Sequence, residues 1–270
     1  MAQREAALVS VIVPTLNEEA SLPTCLRSVR SQTWPAIELI IVDSGSDDRT
    51  REVAREFEAE IVDYPGRVMG ARQKGFFACK GGLVLFLDAD QVLYPDTVER
   101  AARAIDAMDM LILEETSYEP HGWLQRSTCR QRAALHEAAD RRKGIGPNLY
   151  PRFFRRELLL KAYEGLDEAA VSKIFAYEDA LLFRRTHSIS KRIAILDKGV
   201  MHMEERGWLD LMRHSYRAGK SSRSVNMEEL TADPGRSEPF GRQLARAIRR
   251  HYLTLSVVKE ISFSLGRLIG

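Results

Sequence analysis

The sequence predicts an α/β protein in which a mostly parallel sheet is flanked by helices and followed by a C-terminal helical appendage. Short apolar runs alternate with stretches whose apolar residues recur at helical spacing, the pattern of repeated βαβ units. Acidic or amide residues follow closely on the strand-like runs in PTLNEE, VDSGSDDRT and LDADQV. In open parallel sheets the carboxyl ends of the strands border the ligand crevice, so those residues are the first candidates for chemistry.

Taken in order, LVSVIV (8–13), ELIIV (38–42), EIV (60–62), LVLFL (83–87) and MLIL (110–113) read as strands. Leu22, Cys25, Leu26 and Val29 mark a helix between the first two, and Val53, Ala54 and Phe57 mark one after the second. LVLFL follows Gly81 and Gly82 and is apolar throughout, as expected of a strand covered on both faces. Residues 123–143 predict a longer helix, stopped by GIGPN, whose glycines and proline break regular structure. Helical pattern returns at 155–163 and 177–185, and IAIL (193–196) reads as a further strand. The stretch SVNMEELTADPGRSEP has the composition of a linker. It leads into a last helical segment in which Phe240, Leu244, Ile248, Leu255 and Val258 alternate with Arg242, Arg246, Arg249 and Arg250. The expected division is a main domain over 1–206 and a helical extension over 207–270.

Composition narrows the function. A net charge of +2 argues against a general nucleic-acid binder, and the positive charge is concentrated late: from Arg236 onward there are seven Lys or Arg against two Glu. A basic amphipathic helix of that kind fits an anionic membrane surface, and it equally fits docking on its own domain or on a partner subunit of a homo-oligomer. Cys25, Cys79 and Cys129 have no metal-type spacing and leave one thiol unpaired, which suits a reducing compartment. The N-terminal apolar run is too short for a signal peptide, and no segment approaches the ~20 apolar residues of a membrane span. The expectation is a cytoplasmic protein, with residues 240–270 available for peripheral contact with the membrane face.

At the end of the fourth strand stand Asp88 and Asp90. Two carboxylates fixed at a sheet edge can hold a divalent cation or share a proton; a helix cap and turn is the plainer reading of the same triplet. Asp43 follows four apolar residues, so the sheet positions its carboxylate, which can accept hydrogen bonds from a nucleobase. Asp47, before Asp48, Arg49 and Thr50, reads as a helix N-cap.

PTLNE, VDSGSDD, ARQKG (71–75) and LDAD, in that order at successive strand ends, resemble the motifs of family 2 glycosyltransferases with the GT-A fold, over residues 8–205. The resemblance implies a nucleotide-sugar site. Asp43 would bind the base, Pro14, Thr15 and Glu18 would line the base and ribose pocket, and Arg72 would lie near the donor. Asp88 and Ala89 would sit close to the nucleotide, with Asp90 on a metal ion. YEDALLFRR resembles the later acidic pair, which makes Asp179 the candidate base and Glu178 its support. His202 matches the histidine that completes the metal shell with Asp90. The cation would be Mn²⁺ or Mg²⁺, and a nitrogen ligand favours Mn²⁺.

Such a cation would offset the charge that develops on the departing nucleoside diphosphate. The implied activity is metal-dependent, inverting transfer of a sugar from a UDP- or GDP-linked donor to a hydroxyl or lipid-phosphate group of a glycan, small-molecule or lipid-linked acceptor. Arg152, Arg155 and Arg156 read either as a phosphate clamp on the acceptor side or as a solvated face.

Two other readings fit part of the sequence. LVLFLDADQV also resembles the nucleophile motif of haloacid dehalogenase-type phosphatases, with Asp88 attacking phosphorus. That motif normally ends the first strand, whereas here it ends the fourth. A non-catalytic nucleotide-sugar-binding scaffold would require loss of the metal or base residues, and all are present. A dehydrogenase is excluded because the first strand lacks the Gly-rich turn that a pyrophosphate needs.

Overall fold

The computed structural model describes residues 6–137, 150–166, 178–204, 207–221, 258–259 and 261–265. Eight strands lie in one sheet in the order β3-β2-β1-β4-β7-β6-β8-β5. They are β1 (Val9–Thr15), β2 (Ile37–Asp43), β3 (Glu60–Asp63), β4 (Leu83–Phe86), β5 (Gln91–Leu93), β6 (Met110–Ser117), β7 (Pro151–Arg155) and β8 (Ile193–His202). β1, β2, β3 and β4 are mutually parallel, as are β6 and β8, while β7 runs antiparallel between β4 and β6. β5 closes one edge antiparallel to β8.

The helices are α1 (Leu22–Arg30), α2 (Thr50–Glu56), α3 (Val68–Ala78), α4 (Thr97–Ala104), α5 (Gly122–Glu137), α6 (Arg156–Tyr163), α7 (Glu178–Ile189) and α8 (Trp208–Ser221). Side chains alternate across β1, so its two faces enter two separate cores. Val9, Val11 and Val13 pack with Leu22, Cys25, Val53, Val98 and Ala101, which places α1, α2 and α4 on one face. Ile12, Ile40 and Val42 pack with Met69, Phe76, Leu159 and Leu182, which places α3, α6 and α7 on the other. Each fully buried apolar chain of this kind contributes roughly 1.5–3 kcal/mol relative to exposure.

Register brings the functional segments to one edge. Thr15 pairs with Asp43, and Asp43 with Asp63, so the first three strands stop together. His202 pairs with both Gln91 and Ser117. Because β7 is antiparallel, its first residues, and not its last, lie at that same edge. α3 approaches β1 and β2 closely at Gly75, where a Cβ would lie 2.5 Å from Ile12 Cγ2 and 2.8 Å from Val42 Cγ2.

Several elements depart from the sequence reading. The helix expected over 155–163 is α6, but the strand β7 before it was not anticipated, and β8 continues past IAIL to His202. α3, α4, α8 and the three-residue β5 are additional. Asp47 is not the N-cap of α2: that helix begins at Thr50, and it is Asp48 that accepts from the Thr50 N–H, at 2.9 Å. The Asp47 N–H instead donates to Asn17 Oδ1 at 2.9 Å. GIGPN, and the segment from Phe240 apart from 258–259 and 261–265, lie outside the described residues. Among the described residues no helix is long and apolar enough to cross a membrane.

Candidate active site

Two loops are joined at the ends of β1 and β2. Asn17 takes a left-handed turn, φ 59°. Its N–H donates to Ser46 Oγ at 2.9 Å, and Ser46 Oγ donates in turn to Asp43 Oδ1 at 2.5 Å. Asp43 is buried and also accepts from the Ser46 N–H at 3.0 Å, Thr15 Oγ1 at 3.1 Å and Arg51 Nη1 at 3.3 Å. Burial works against its charge, but these bonds, those from Ser46 first, outweigh burial and hold the carboxyl below the usual carboxylate value. Asp43 therefore organises the loop that carries it, and a base N–H would have to replace one of these donors.

Glu18 shows the opposite balance. Burial pushes its carboxyl up to about 7 despite a hydrogen bond from Ser21, and the neighbouring charges of Asp90, Asp48 and Asp88 add to the rise. Its N–H donates to Thr50 Oγ1 at 2.7 Å, which ties the β1 loop to the start of α2. Pro14 is half-buried and Thr15 buried at this end.

The turn after β4 is held from within: the Asp88 N–H donates to Gln91 Oε1 and the Gln91 N–H to Asp88 O, each at 3.0 Å, with Ala89 buried between the aspartates. The Met203 N–H donates to Asp90 O at 2.8 Å, fastening the end of β8 to this turn. His202 Nε2 consequently lies 3.3 Å from Asp90 Oδ2. Two adjacent ligands of an octahedral Mg²⁺ or Mn²⁺ sit about 3 Å apart, so this oxygen and nitrogen fit a shared cation. Among the described residues no group of three or more such ligands occurs, so the remaining positions would fall to diphosphate oxygens and water.

Beside this pair lies a ring of charge. Arg72, whose side chain is only 2% exposed, places Nη2 2.7 Å from Asp88 Oδ1 and Nη1 against Asp179 Oδ1. Arg152, the second residue of β7, places Nη1 2.9 Å from Asp88 Oδ2 and Nη2 3.7 Å from Asp179 Oδ2. Each carboxylate thus offers one oxygen to each arginine. Burial disfavours the charge on Asp88, yet Arg152 and then Arg72 hold its carboxyl well below the usual range.

The ring continues outward. Arg152 Nη2 lies 3.3 Å from Glu115, Glu115 meets Arg132 at 2.6 Å, and Arg132 meets Glu204 at 3.2 Å. Ser117 donates to Glu204 at 2.6 Å, and Gln91 Nε2 to Glu115 at 3.1 Å.

The structure therefore brings Arg72, Asp88, Asp90, Asp179 and His202 together, with Pro14, Thr15, Glu18 and Asp43 at the neighbouring strand ends. Glu178 opens α7, but its side chain lies outside the described residues. Of the three arginines in YPRFFRRE, only Arg152 faces the site. Arg155 donates to the carbonyls of Met108 at 3.0 Å and Ile105 at 2.6 Å. Arg156 donates to Cys79 O at 2.7 Å and lies 5.0 Å over the Phe76 ring. Glu115, Arg132 and Glu204 were not anticipated. Their one sequence signal is the acids EE and MEE just beyond MLIL and IAIL.

A largely parallel α/β sheet with paired acids at the fourth strand end and a later acid and histidine beside them defines a GT-A glycosyltransferase fold. The chain belongs to glycosyl transferase family 2, whose profile matches residues 10–159. It is 33% identical over 170 residues to a PGL/p-HBAD biosynthesis glycosyltransferase of Mycobacterium bovis, a match covering 57% of this chain and 66% of that one. The chain spans between about a third and two thirds of the length of the curated relatives it matches.

Among solved structures, S. aureus TarS in complex with UDP-GlcNAc is similar with a TM-score of 0.59 and 17% identity, covering 96% of this chain and 89% of that one. Glucosyl-3-phosphoglycerate synthase from Mycobacterium tuberculosis, in complex with Mn²⁺, UDP and glucosyl-3-phosphoglycerate, gives 0.54 and 23%, covering 81% and 79%. These likenesses show the fold.

Proposed function

We propose that this protein is a metal-dependent, inverting glycosyltransferase that moves a sugar from a nucleoside-diphosphate donor to an acceptor hydroxyl. The observation that carries the reading is the meeting of Asp90 and His202 at 3.3 Å, two residues along from Asp88, which shares Arg72 with Asp179. A divalent cation held by Asp90 and His202 would supply positive charge to the diphosphate as it departs.

The chain's own groups account for the rest. Thr15, Glu18 and Asp43, with Pro14, form the wall for base and ribose. Asp88 and Ala89 border the nucleotide, and Arg72 fixes the geometry of Asp88 and Asp179. Asp179 takes the proton from the acceptor hydroxyl as that oxygen attacks the anomeric carbon from the face opposite the leaving group, which inverts its configuration. Glu178 supports that acid. A single base on one side of the sugar is the arrangement that inversion requires.

UDP is the first nucleotide to test, since both solved neighbours carry uridine diphosphate; GDP is the alternative. A phosphohydrolase reading asks Asp88 to attack phosphorus, and both its oxygens are held against guanidinium groups. Residues 207–270 form a separate helical extension in this proposal, with 240–270 touching an anionic membrane face or a partner subunit.

A thermal-shift panel of nucleoside diphosphates with and without Mn²⁺ tests the reading. UDP or GDP should raise the melting temperature more with Mn²⁺ than without, and Asp90→Ala or His202→Ala should remove the Mn²⁺-dependent part. Asp179→Asn should keep diphosphate binding and lose sugar transfer. Stabilisation by neither nucleotide would overturn the assignment.

A further inference from the structure

The contacts of Arg72, Asp88, Arg152 and Asp179 close on themselves. Going round, Arg72 Nη2 meets Asp88, Asp88 meets Arg152 Nη1, Arg152 Nη2 meets Asp179, and Asp179 returns to Arg72 Nη1. The carboxylate assigned as base thus faces two guanidinium groups. A hydroxyl acceptor cannot share that carboxylate fully while both arginines hold it.

The four contacts are unequal. Arg72 is almost wholly buried on α3 and packs 5.9 Å over the Phe86 ring, so it is fixed. Arg152 Nη2 stands 3.7 Å from Asp179, beyond hydrogen-bond reach, and its Nη1 approaches Asp88 without an aligned hydrogen bond. Arg152 also keeps Glu115 at 3.3 Å as an anchor on β6. It therefore has N–H donors in excess of well-made bonds, it cannot lose its charge, and its weakest tie is the one to Asp179.

We propose that Arg152 is a donor-responsive positioning residue: it helps hold Asp179 in the ring until the diphosphate of the donor draws its guanidinium away, so that Asp179 is released to the acceptor only when donor is present. The inference rests on the nucleotide-sugar reading above. Diphosphate oxygens accept bidentate, charge-assisted bonds from a guanidinium, which Asp179 at 3.7 Å does not. The competition has a consequence that a purely structural ion pair lacks: removing the competing carboxylate should tighten diphosphate binding.

The test is a double-mutant cycle on the full chain, read by calorimetric titration of UDP and GDP with Mn²⁺, with uridine and guanosine as controls. Asp179→Asn should bind the diphosphate about threefold to tenfold more tightly than the parent, and Arg152→Gln about tenfold more weakly. In the Arg152→Gln background, Asp179→Asn should change affinity less than about twofold. Nucleoside affinity should be the same in all four proteins. Arg152→Lys serves if the glutamine variant does not fold; it keeps a charge without the fork, and should reduce the gain from Asp179→Asn.

No tightening by Asp179→Asn, or the same tightening in both backgrounds, would overturn the role of Arg152 while leaving the glycosyltransferase reading in place. Failure of the parent protein to bind either diphosphate would overturn both.

Discussion

Replacing Arg72 with Gln would test the energetic weight of the buried ring. The substitution keeps a polar but shorter side chain and removes the charge between Asp88 and Asp179. Removing one partner of a buried pair costs about 3–5 kcal/mol, because the remaining charge is left without compensation. Two features place this case near the lower end. The side chains of Asp88 and Asp179 retain 29% and 21% exposure, so water recovers part of the loss. Arg152 also stays at 2.9 Å from one and 3.7 Å from the other.

The expected cost is therefore about 3 kcal/mol, or a melting temperature lower by about 6–12 °C for a domain of this size. Urea unfolding without nucleotide, followed by fluorescence of the three tryptophans, measures it. Adding Asp179→Asn to Arg72→Gln should restore part of the stability, because it removes one of the orphaned charges. A loss under about 1 kcal/mol, or strict additivity of the two substitutions, would refute the account of the ring as an interdependent unit.

Three further outcomes follow from the same geometry. Asp88 has a carboxyl held below its ordinary value, so its contribution is complete above about pH 4 and lost as pH falls toward the folded value. Asp88→Asn should flatten the fall in urea midpoint over that acid range. Glu18 is the reverse case: with its carboxyl pushed up to about 7, it favours the folded state below the ordinary value near 4.5 and loses that contribution as pH rises through 7. Glu18→Gln should raise the urea midpoint at pH 8 and leave it nearly unchanged at pH 4, and an equal effect at both would contradict the titration. Gly70→Ala would place a Cβ 1.9 Å from the hydroxyl of Tyr64, forcing a buried ring to move at about 1–3 kcal/mol; Gly82→Ala meets nothing within 4 Å and should be near neutral in the same unfolding assay.

The strand series was legible because burial on two faces demands apolar runs: β4 and the LIIV of β2 are unbroken, and β1 is interrupted only by Ser10 before Pro14. β7 was not. YPRFFRRE passes from strand into helix without a breaking residue, and β7 acquires its partners from strands far away in the chain. Without that strand nothing separated Arg152, which meets Asp88, from Arg155 and Arg156, which do not face the site. Only an antiparallel strand brings its first residues, and not its last, to the edge where β4 and β8 end. α2 shows a smaller miss: Arg49 occupies its N-cap position, and the backbone path brings Asp48, not Asp47, to the Thr50 N–H.

The sequence by itself determined which residues stand at or just past several strand ends, because apolar runs set where those strands stop: Thr15, Asp43, Asp88 and Asp90 could be placed from it, whereas His202 could not, since β8 runs six residues beyond IAIL. Tertiary structure alone decided what those residues touch. Arg72 and Asp179 are 107 positions apart, and nothing in local pattern pairs them. Their meeting depends on α3 and α7 packing on the same face of the sheet, and on the register that sets His202 beside Asp90. Charge interaction varies with distance and burial, and both are properties of the folded chain.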